Sequence, residues 1–220
     1  DWSSDVCSSD LPINRVYFTT QQNSPMEDWG NIHYLLETAS NAGINCSSID
    51  LEELGWDSER KAFVDSNEEQ IFTIFKLYPW EWMKKDQFYT NIGSSLTQFI
   101  EPPWKMLLSN KLLCVKLWEM FPKHKYLLPA YKTEPNKSWL WWRNKIWLKK
   151  PMLGREGQGV TLGKADETAI AQEHFEVIDF NGIQPVIGSW IIAGQSAGIG
   201  IREDIGVTTN NSKFVPHYFR

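Results

Sequence analysis

The stretch LKKPMLGREGQGVTL, residues 148–162, sets two lysines, a proline and three glycines between two segments that are typical of β-strands. Glycine costs ordering entropy, so three glycines in so short a span indicate a moving loop or a close approach of another molecule to the backbone. Gly154, Gly157 and Gly159 follow the pattern G-x-x-G-x-G. This is neither the dinucleotide fingerprint nor the P-loop. We therefore predict a hairpin tip that holds phosphates through backbone N–H groups.

Positive charge is concentrated around this hairpin. The chain has a formal net charge of −5, but residues 141–164 contain six bases and one acid. These are Arg143, Lys145, Lys149, Lys150, Arg155 and Lys164, with Glu156. Because side chains alternate across a strand, Lys149 and Lys150 should point to opposite faces, so that only one can enter a site. A solvated basic edge is the alternative interpretation of these charges.

The bulk properties exclude several classes of protein. The 220 residues are 42% hydrophobic, which is enough for a folded core and argues against a disordered chain. A net negative charge argues against a general nucleic-acid partner. No apolar run approaches the ~20 residues that cross a bilayer. The cysteines Cys7, Cys46 and Cys114 lack metal-ligand spacing, and so sparse a set suits a reducing, cytoplasmic location.

Two segments stand apart from the rest of the chain. Residues 1–11, DWSSDVCSSDL, repeat Ser-Ser-Asp and have no helical or strand period, so we expect a foreign segment joined to an N-terminally truncated fragment. Trp139, Trp141 and Trp142 form a tryptophan-rich run. This run indicates core packing or, alternatively, a stacking surface, which leaves open a non-enzymatic carbohydrate-binding module.

Residues 12–51 predict a strand, a helix and a second strand. Residues 13–20 are rich in β-branched and aromatic residues, and residues 44–51 are expected to form the second strand. Between them, Ser24 and Glu27 are spaced as a capping box, and Gly43 is placed to end the helix. Strand, helix and strand in under 40 residues indicate a βαβ-like unit of an open α/β sheet.

The remaining chain predicts mostly sheet in its second half. Further strands are expected at 61–65, 70–78, 145–153, 159–162, 168–175, 184–204 and 213–219, and helices at 79–89 and 109–121. The 145–153 and 159–162 strands would form a hairpin around the glycines. We predict an α+β protein with a change of domain near residue 100, giving domains at 12–100 and 101–220.

Long motifs along residues 12–220 resemble the glutathionylspermidine synthase family, and more closely its bacterial stand-alone acid–amine ligase branch. The motifs are MEDWGNIHYLLETASNAG, LGWD, FKLYPWEWM, EPPWKMLLSNKLLCVKLWEMFP, LLPAY, KKPMLGREGQGVTL, PVIGSWIIAGQSAGIGIRED and FVPHYF. The resemblance implies an ATP-grasp-type antiparallel sheet domain preceded by a small Rossmann-like α/β, pre-ATP-grasp, subdomain.

The resemblance also implies an activity. Members of the family join a carboxylate to an amine with ATP and Mg²⁺, through an acyl phosphate that the amine attacks. The expected partners are a glutathione-like or peptide carboxylate and a polyamine-like amine. A phosphoryl transferase such as a kinase is a further alternative, because basic residues on a glycine loop serve many phosphate donors.

The family's nucleotide-binding residues map onto the second half of the chain. They are Lys111, Lys150, Gly154, Arg155, Gly157, Gly159 and Gln172, the glycines with Arg155 forming a loop that covers the phosphates. Arg202 resembles the family arginine that stabilises charge on the transferred phosphoryl group. Local pairing with Glu203 or Asp204 is the alternative for Arg202.

The family's substrate residues map onto the first half. Glu27 and Asp28 resemble the acidic pair that receives the amine, although both also suit a helix N-terminus. Glu81 resembles a residue near the substrate cleft. The Arg-x-Asp and Glu-x-Asn motifs, which supply magnesium ligands in the family, are expected N-terminal to the matching region. The Arg-x-Asp and Glu-x-Asn strings that this sequence contains, at residues 202–204 and 134–136, lie elsewhere. We therefore expect this chain alone to be poorly active or inactive and its full-length parent to be a ligase.

Overall fold

The computed structural model describes residues 15–132, 145–155, 157–205 and 212–218. These residues form two compact units that cover residues 15–107 and 108–218. One parallel sheet and several antiparallel sheets, combined with helices, give the α+β class that the sequence predicts. Residues 1–11 and the Trp139–Trp142 run lie outside the described residues, so the interpretations of both stay predictions. In the described part of the chain, every helix is too short or too polar to span a bilayer.

The first unit is built on a parallel sheet. Its elements are β1 (Val16–Thr20), α1 (Met26–Asn41), β2 (Cys46–Asp50), β3 (Gly55–Asp57), β4 (Ala62–Val64), β5 (Thr73–Lys76), α2 (Trp80–Met83), α3 (Tyr89–Ile92) and β6 (Gln98–Ile100). Four strands pair in the order β2-β1-β5-β6, all parallel. Strands β3 and β4 form a separate antiparallel ribbon. The predicted βαβ unit is thus confirmed as β1-α1-β2.

Strand β1 is buried over its whole length because both faces of the sheet are covered. On one face Val16 and Phe18 pack with Ile32 of α1. On the other face Tyr17 joins a larger cluster that includes Ile74 of β5. A central parallel strand that is covered on two sides favours apolar residues throughout. Here Val16, Tyr17 and Phe18 follow this rule, and the strand ends in two buried threonines.

The ends of α1 differ in how well the sequence predicts them. Gly43 follows the C-cap with φ +84°, and its N–H and that of Ile44 donate to Ser40 and Ala39 carbonyls, as in a Schellman motif. The predicted capping box does not form. The helix begins at Met26 without a side-chain cap, and the Ser24 hydroxyl lies 2.9 Å from that of Thr20 instead.

Two short elements depart from the predicted pattern. The helix expected over 79–89 is only α2, one turn long, and α3 follows after a turn. Strand β6 was not predicted, because three residues are too few to show an alternating pattern. Backbone pairing with β5 decides its structure.

The second unit contains antiparallel sheet and one helix of nine residues. A short helix, α4 (Met106–Ser109), spans the boundary between the units. Then follow α5 (Leu112–Met120), β7 (Ala130–Tyr131), β8 (Trp147–Pro151), β9 (Thr161–Leu162), β10 (Ala169–Glu173), β11 (Gln184–Ile192), β12 (Gln195–Asp204) and β13 (Lys213–Val215). The strands form two sheets, ordered β7-β10-β8-β9 and β11-β12-β13. Strands β8 and β9 pair antiparallel, which confirms the predicted hairpin around the glycines.

Candidate functional site

Lys150 projects from β8 and its side chain is half-buried. Its Nζ donates a hydrogen bond to Oε1 of Gln172, on β10, at 2.7 Å. Lys150 lies opposite Ile170 in the strand register, so Gln172, two residues further along β10, projects from the same face of the sheet. The structure thus brings together two residues that the sequence predicts for nucleotide binding.

Lys149 occupies the opposite face, as strand alternation predicts. Its ammonium forms an ion pair with Asp166. This contact, together with hydrogen bonds from Thr168, holds the pKa of Asp166 well below its usual range. Of the two adjacent lysines, Lys150 therefore faces the candidate site and Lys149 stabilises a turn on the other side.

Lys111 connects the start of α5 to the glycine loop. Its Nζ donates to the carbonyl oxygen of Gly154 at 2.7 Å, and its backbone N–H donates to the Met152 carbonyl at 2.8 Å. The loop that would cover phosphates is therefore tied to the helix that carries a predicted phosphate-binding lysine.

The two lysines and a cysteine share one electrostatic environment. Burial is the main cause that lowers the pKa of Lys150, and the Lys111 charge lowers it further, whereas the Cys114 thiol acts in the opposite direction. Cys114 was not predicted here. Its spacing of three residues from Lys111, one turn along α5, is the signal that places it on the same side of the helix.

The glycine loop needs its glycines for two different reasons. Gly154, Gly157 and Gly159 have φ values of +138°, +74° and +69°, which disfavour residues with a Cβ. At Gly159 an added Cβ would also lie 2.9 Å from Cγ of Pro151. The tight turn is closed by hydrogen bonds from the N–H groups of Gln158 and Val160 to the Arg155 and Gly157 carbonyls.

The two predicted arginines lie in different parts of the second unit. Arg155 is exposed within the loop. Arg202 lies on β12, in the other sheet, where Nη2 donates to the Ser212 carbonyl at 3.3 Å and the guanidinium stands 5.1 Å from the Phe214 ring centroid. The structure therefore does not place Arg202 on the sheet that carries Lys150.

The predicted substrate residues all belong to the first unit. Glu27 and Asp28 lie in the first turn of α1, and Glu81 lies in the first turn of α2. Lys76, at the end of β5, lies outside the predicted set; its Nζ donates to the Tyr78 carbonyl at 2.6 Å. Burial lowers the pKa of Lys76 to about 8, against the opposing charges of Glu101 and Glu81.

The described residues offer no obvious metal centre. Across the ranges that the structure covers, no group of three or more His, Cys, Asp or Glu side chains is arranged to hold a metal ion. The two described cysteines, Cys46 and Cys114, are free thiols.

A family profile described as glutathionylspermidine synthase pre-ATP-grasp matches residues 2–220. A Haemophilus influenzae protein that is assigned as an acid–amine ligase is 42% identical over 224 aligned positions. That alignment covers 92% of this chain but only 56% of the relative. The chain therefore spans about half the length of this curated relative.

Solved structures with low sequence identity share the fold. The D-cycloserine synthetase DcsG superposes with a TM-score of 0.56 at 16% identity, over 93% of this chain and 75% of that chain. The ATP-grasp ligase PsnB, in a complex with Mg, ADP and a phosphomimetic variant of its minimal precursor, gives 0.52 at 10% identity, over 90% and 75%. The ATP-grasp type of fold predicted from the sequence is thus confirmed.

Proposed function

Because the chain belongs to the glutathionylspermidine synthase family, we propose that it supplies the nucleotide-binding part of an ATP-dependent ligase that joins a carboxylate to an amine. The observation that carries the proposal is the contact of Lys150 with Gln172, near Lys111, whose ammonium group contacts the Gly154 carbonyl of the glycine loop. A half-buried lysine paired with a neutral amide oxygen, with a second lysine close by, is a set of donors suited to an anion.

The residues of this site fit the phosphates of ATP. Lys111 and Lys150 provide two ammonium groups, and Gly154, Gly157 and Gly159 adopt the positive φ values that the tight loop requires. Both lysines now donate to neutral oxygens, those of Gly154 and Gln172. A phosphate oxygen is a stronger, charged acceptor, so exchange of these partners on binding is favourable.

In the proposed reaction the carboxylate oxygen attacks the γ-phosphorus of ATP, which releases ADP and gives an acyl phosphate. The amine nitrogen then attacks the carbonyl carbon, loses a proton and expels phosphate, which leaves an amide. Lys111 and Lys150 offset charge that builds up on the phosphates, and Arg202 serves the transferred phosphoryl group. Arg155, in the glycine loop, contributes a further cation.

The proposed substrates follow the family. Glu27 and Asp28, at the start of α1, would orient a polyamine-like ammonium group, and Glu81 would lie near the same substrate. The carboxylate would be glutathione-like or belong to a peptide. Magnesium would be held by residues of the full-length enzyme outside the described set, and a cytoplasmic location is part of the same proposal.

Titration of the chain with ATP, followed by tryptophan fluorescence, tests the nucleotide site. We expect a saturable change that Lys150→Ala abolishes. Lys149→Ala is a matched control, because it removes the neighbouring lysine on the opposite face and should leave ATP binding intact. An equal loss of ATP binding in both variants would indicate a general effect of positive charge. A fluorescence change that only oligosaccharides produce would favour the carbohydrate-binding alternative.

Product analysis of the full-length parent tests the reaction. Mass spectrometry after incubation with ATP, glutathione and spermidine should show an amide conjugate together with ADP. A phosphorylated acceptor without a conjugate would instead identify a kinase.

A further inference from the structure

We propose that the first unit holds a binding site for a small amine with one ammonium group and a hydrocarbon tail. The site is a cavity of about 340 Å³ that Glu27 and Asp28 do not line. The family resemblance assigns no role to the residues that line it. The inference goes beyond the proposed ligase, because it concerns binding that is measured without ATP.

The cavity lies at the carboxyl edge of the parallel sheet. Gln21 follows β1, Glu52 follows β2 and Tyr78 follows β5, and all three line the cavity. The strand order β2-β1-β5-β6 places β2 and β5 on opposite sides of β1, so the order reverses there. Open α/β sheets bind their ligands at the carboxyl ends of strands, at such a reversal.

The floor of the cavity is apolar. Leu54, Phe63 and Met83 line it and are 8%, 4% and 7% exposed. Aliphatic and aromatic walls around a volume of this size suit a short hydrocarbon body. A charged group placed on this floor would lose its hydration without gaining a partner.

The mouth of the cavity is acidic. The side chains of Glu52 and Asp86 line it at exposed positions. Glu52 accepts from the Gln22 N–H at 2.9 Å and Asp86 accepts from the Tyr78 hydroxyl at 3.5 Å. Burial and these two charges raise the pKa of Tyr78 to about 12, so it stays a neutral donor. Of the described residues that line the cavity, none is basic.

An acidic mouth above an apolar floor favours a ligand with one ammonium group and a hydrocarbon tail. The two carboxylates at the mouth would attract an ammonium group, and the apolar floor would accommodate the hydrocarbon tail. A diamine of the same length would place its second charge against Leu54 and Phe63, which is unfavourable. An alcohol would not use the carboxylates, and a carboxylate would be repelled by them.

Calorimetric titration of the chain, without nucleotide, tests the proposal. Hexylamine should bind more tightly than hexane diamine, hexanol and hexanoate. Equal or tighter binding of the diamine or of hexanol, or no detectable binding of hexylamine, would overturn the proposal.

Two isosteric substitutions test the mouth. Glu52→Gln and Asp86→Asn should each weaken hexylamine binding about two- to fivefold, the usual range for exposed ion pairs, and both together by about tenfold. Glu53→Gln changes the next residue of the same turn, which does not line the cavity, and should leave the affinity unchanged. Circular dichroism verifies that each variant is folded. An unchanged affinity in the double variant, or an equal loss in Glu53→Gln, would contradict the site.

Discussion

Lys76 is only 8% exposed, although it carries an ionisable amine. Its Nζ lies 3.9 Å from the Trp80 ring centroid and donates to the Tyr78 carbonyl. Those contacts only partly offset the loss of hydration, because burial lowers the pKa of Lys76 from 10.5 to about 8. The protonated form of this lysine therefore costs folding free energy at neutral pH.

The first prediction concerns the pH dependence of stability. A lowered pKa in the folded state means that the unfolded chain binds the proton more tightly, so the wild-type protein should gain stability as pH rises from about 8 towards 10.5. Lys76→Met should lack this gain, which amounts to at most about 3 kcal/mol. Urea unfolding across that pH range measures the difference. Lys85→Met, at an exposed lysine, is the control, and an equal pH dependence in wild type and Lys76→Met would contradict the prediction.

The second prediction concerns Gly159. A Cβ there would combine a positive φ of +69° with a 2.9 Å contact to Pro151, so Gly159→Ala should lower the free energy of unfolding by ~2 kcal/mol and weaken ATP binding. Gly182→Ala is the control, because φ is +90° there but no atom lies within 4 Å of the added Cβ. It should cost about 1 kcal/mol and leave ATP binding unchanged. Equal stability losses at the two positions would show that the Pro151 ring moves aside.

Among the elements, the β8–β9 hairpin and α5 are connected through Lys111. Lys111, at the start of α5, holds the Gly154 carbonyl, so the hairpin tip is closed by an ammonium group that ATP would also use. When the triphosphate binds, the contact between Lys111 and the Gly154 carbonyl should be replaced by contacts between the loop and the phosphates. We expect the loop to be more mobile when both the Lys111 contact and ATP are absent.

Limited trypsin digestion at Arg155 tests this dependence, because Arg155 is exposed within the loop. Lys111→Met should speed cleavage after Arg155 several-fold in the absence of nucleotide, and ATP should protect the wild-type chain. Lys116→Met removes a lysine from the same helix that pairs with Glu119, and it should leave the rate unchanged. Mass spectrometry identifies the fragment that ends at Arg155. Unchanged cleavage in Lys111→Met would mean that other contacts hold the loop.

The elements also show where sequence patterns are sufficient. The β8–β9 hairpin and the β1-α1-β2 unit have strong local signals, in their glycines and apolar periods, and both are confirmed. The capping box at Ser24 failed because the Thr20 hydroxyl competes for that side chain. Lys150 and Gln172 could be proposed from a family resemblance, but their contact depends on the register of β8 and β10, which local pattern does not specify.

At the scale of the whole molecule, each unit has its own hydrophobic core. Two clusters in residues 15–107 surround the parallel sheet, one on each face. In residues 108–218, Val115 of α5 packs with Ala130 of β7 and Ile170 of β10. The candidate nucleotide site lies entirely in the second unit and the proposed amine cavity entirely in the first.

Separate cores predict that the two ligands stabilise different parts of the chain. In differential scanning calorimetry we expect two transitions, with ATP raising only one midpoint and hexylamine only the other. A hundredfold excess of ATP over its Kd would stabilise its unit by about 2.7 kcal/mol, a shift of roughly ten degrees or more. In Lys150→Ala, ATP should no longer raise an unfolding midpoint, whereas hexylamine still should. In the double variant of Glu52 and Asp86, ATP should still raise its midpoint and hexylamine should not. A single transition that both ligands raise would show that the units unfold as one cooperative body.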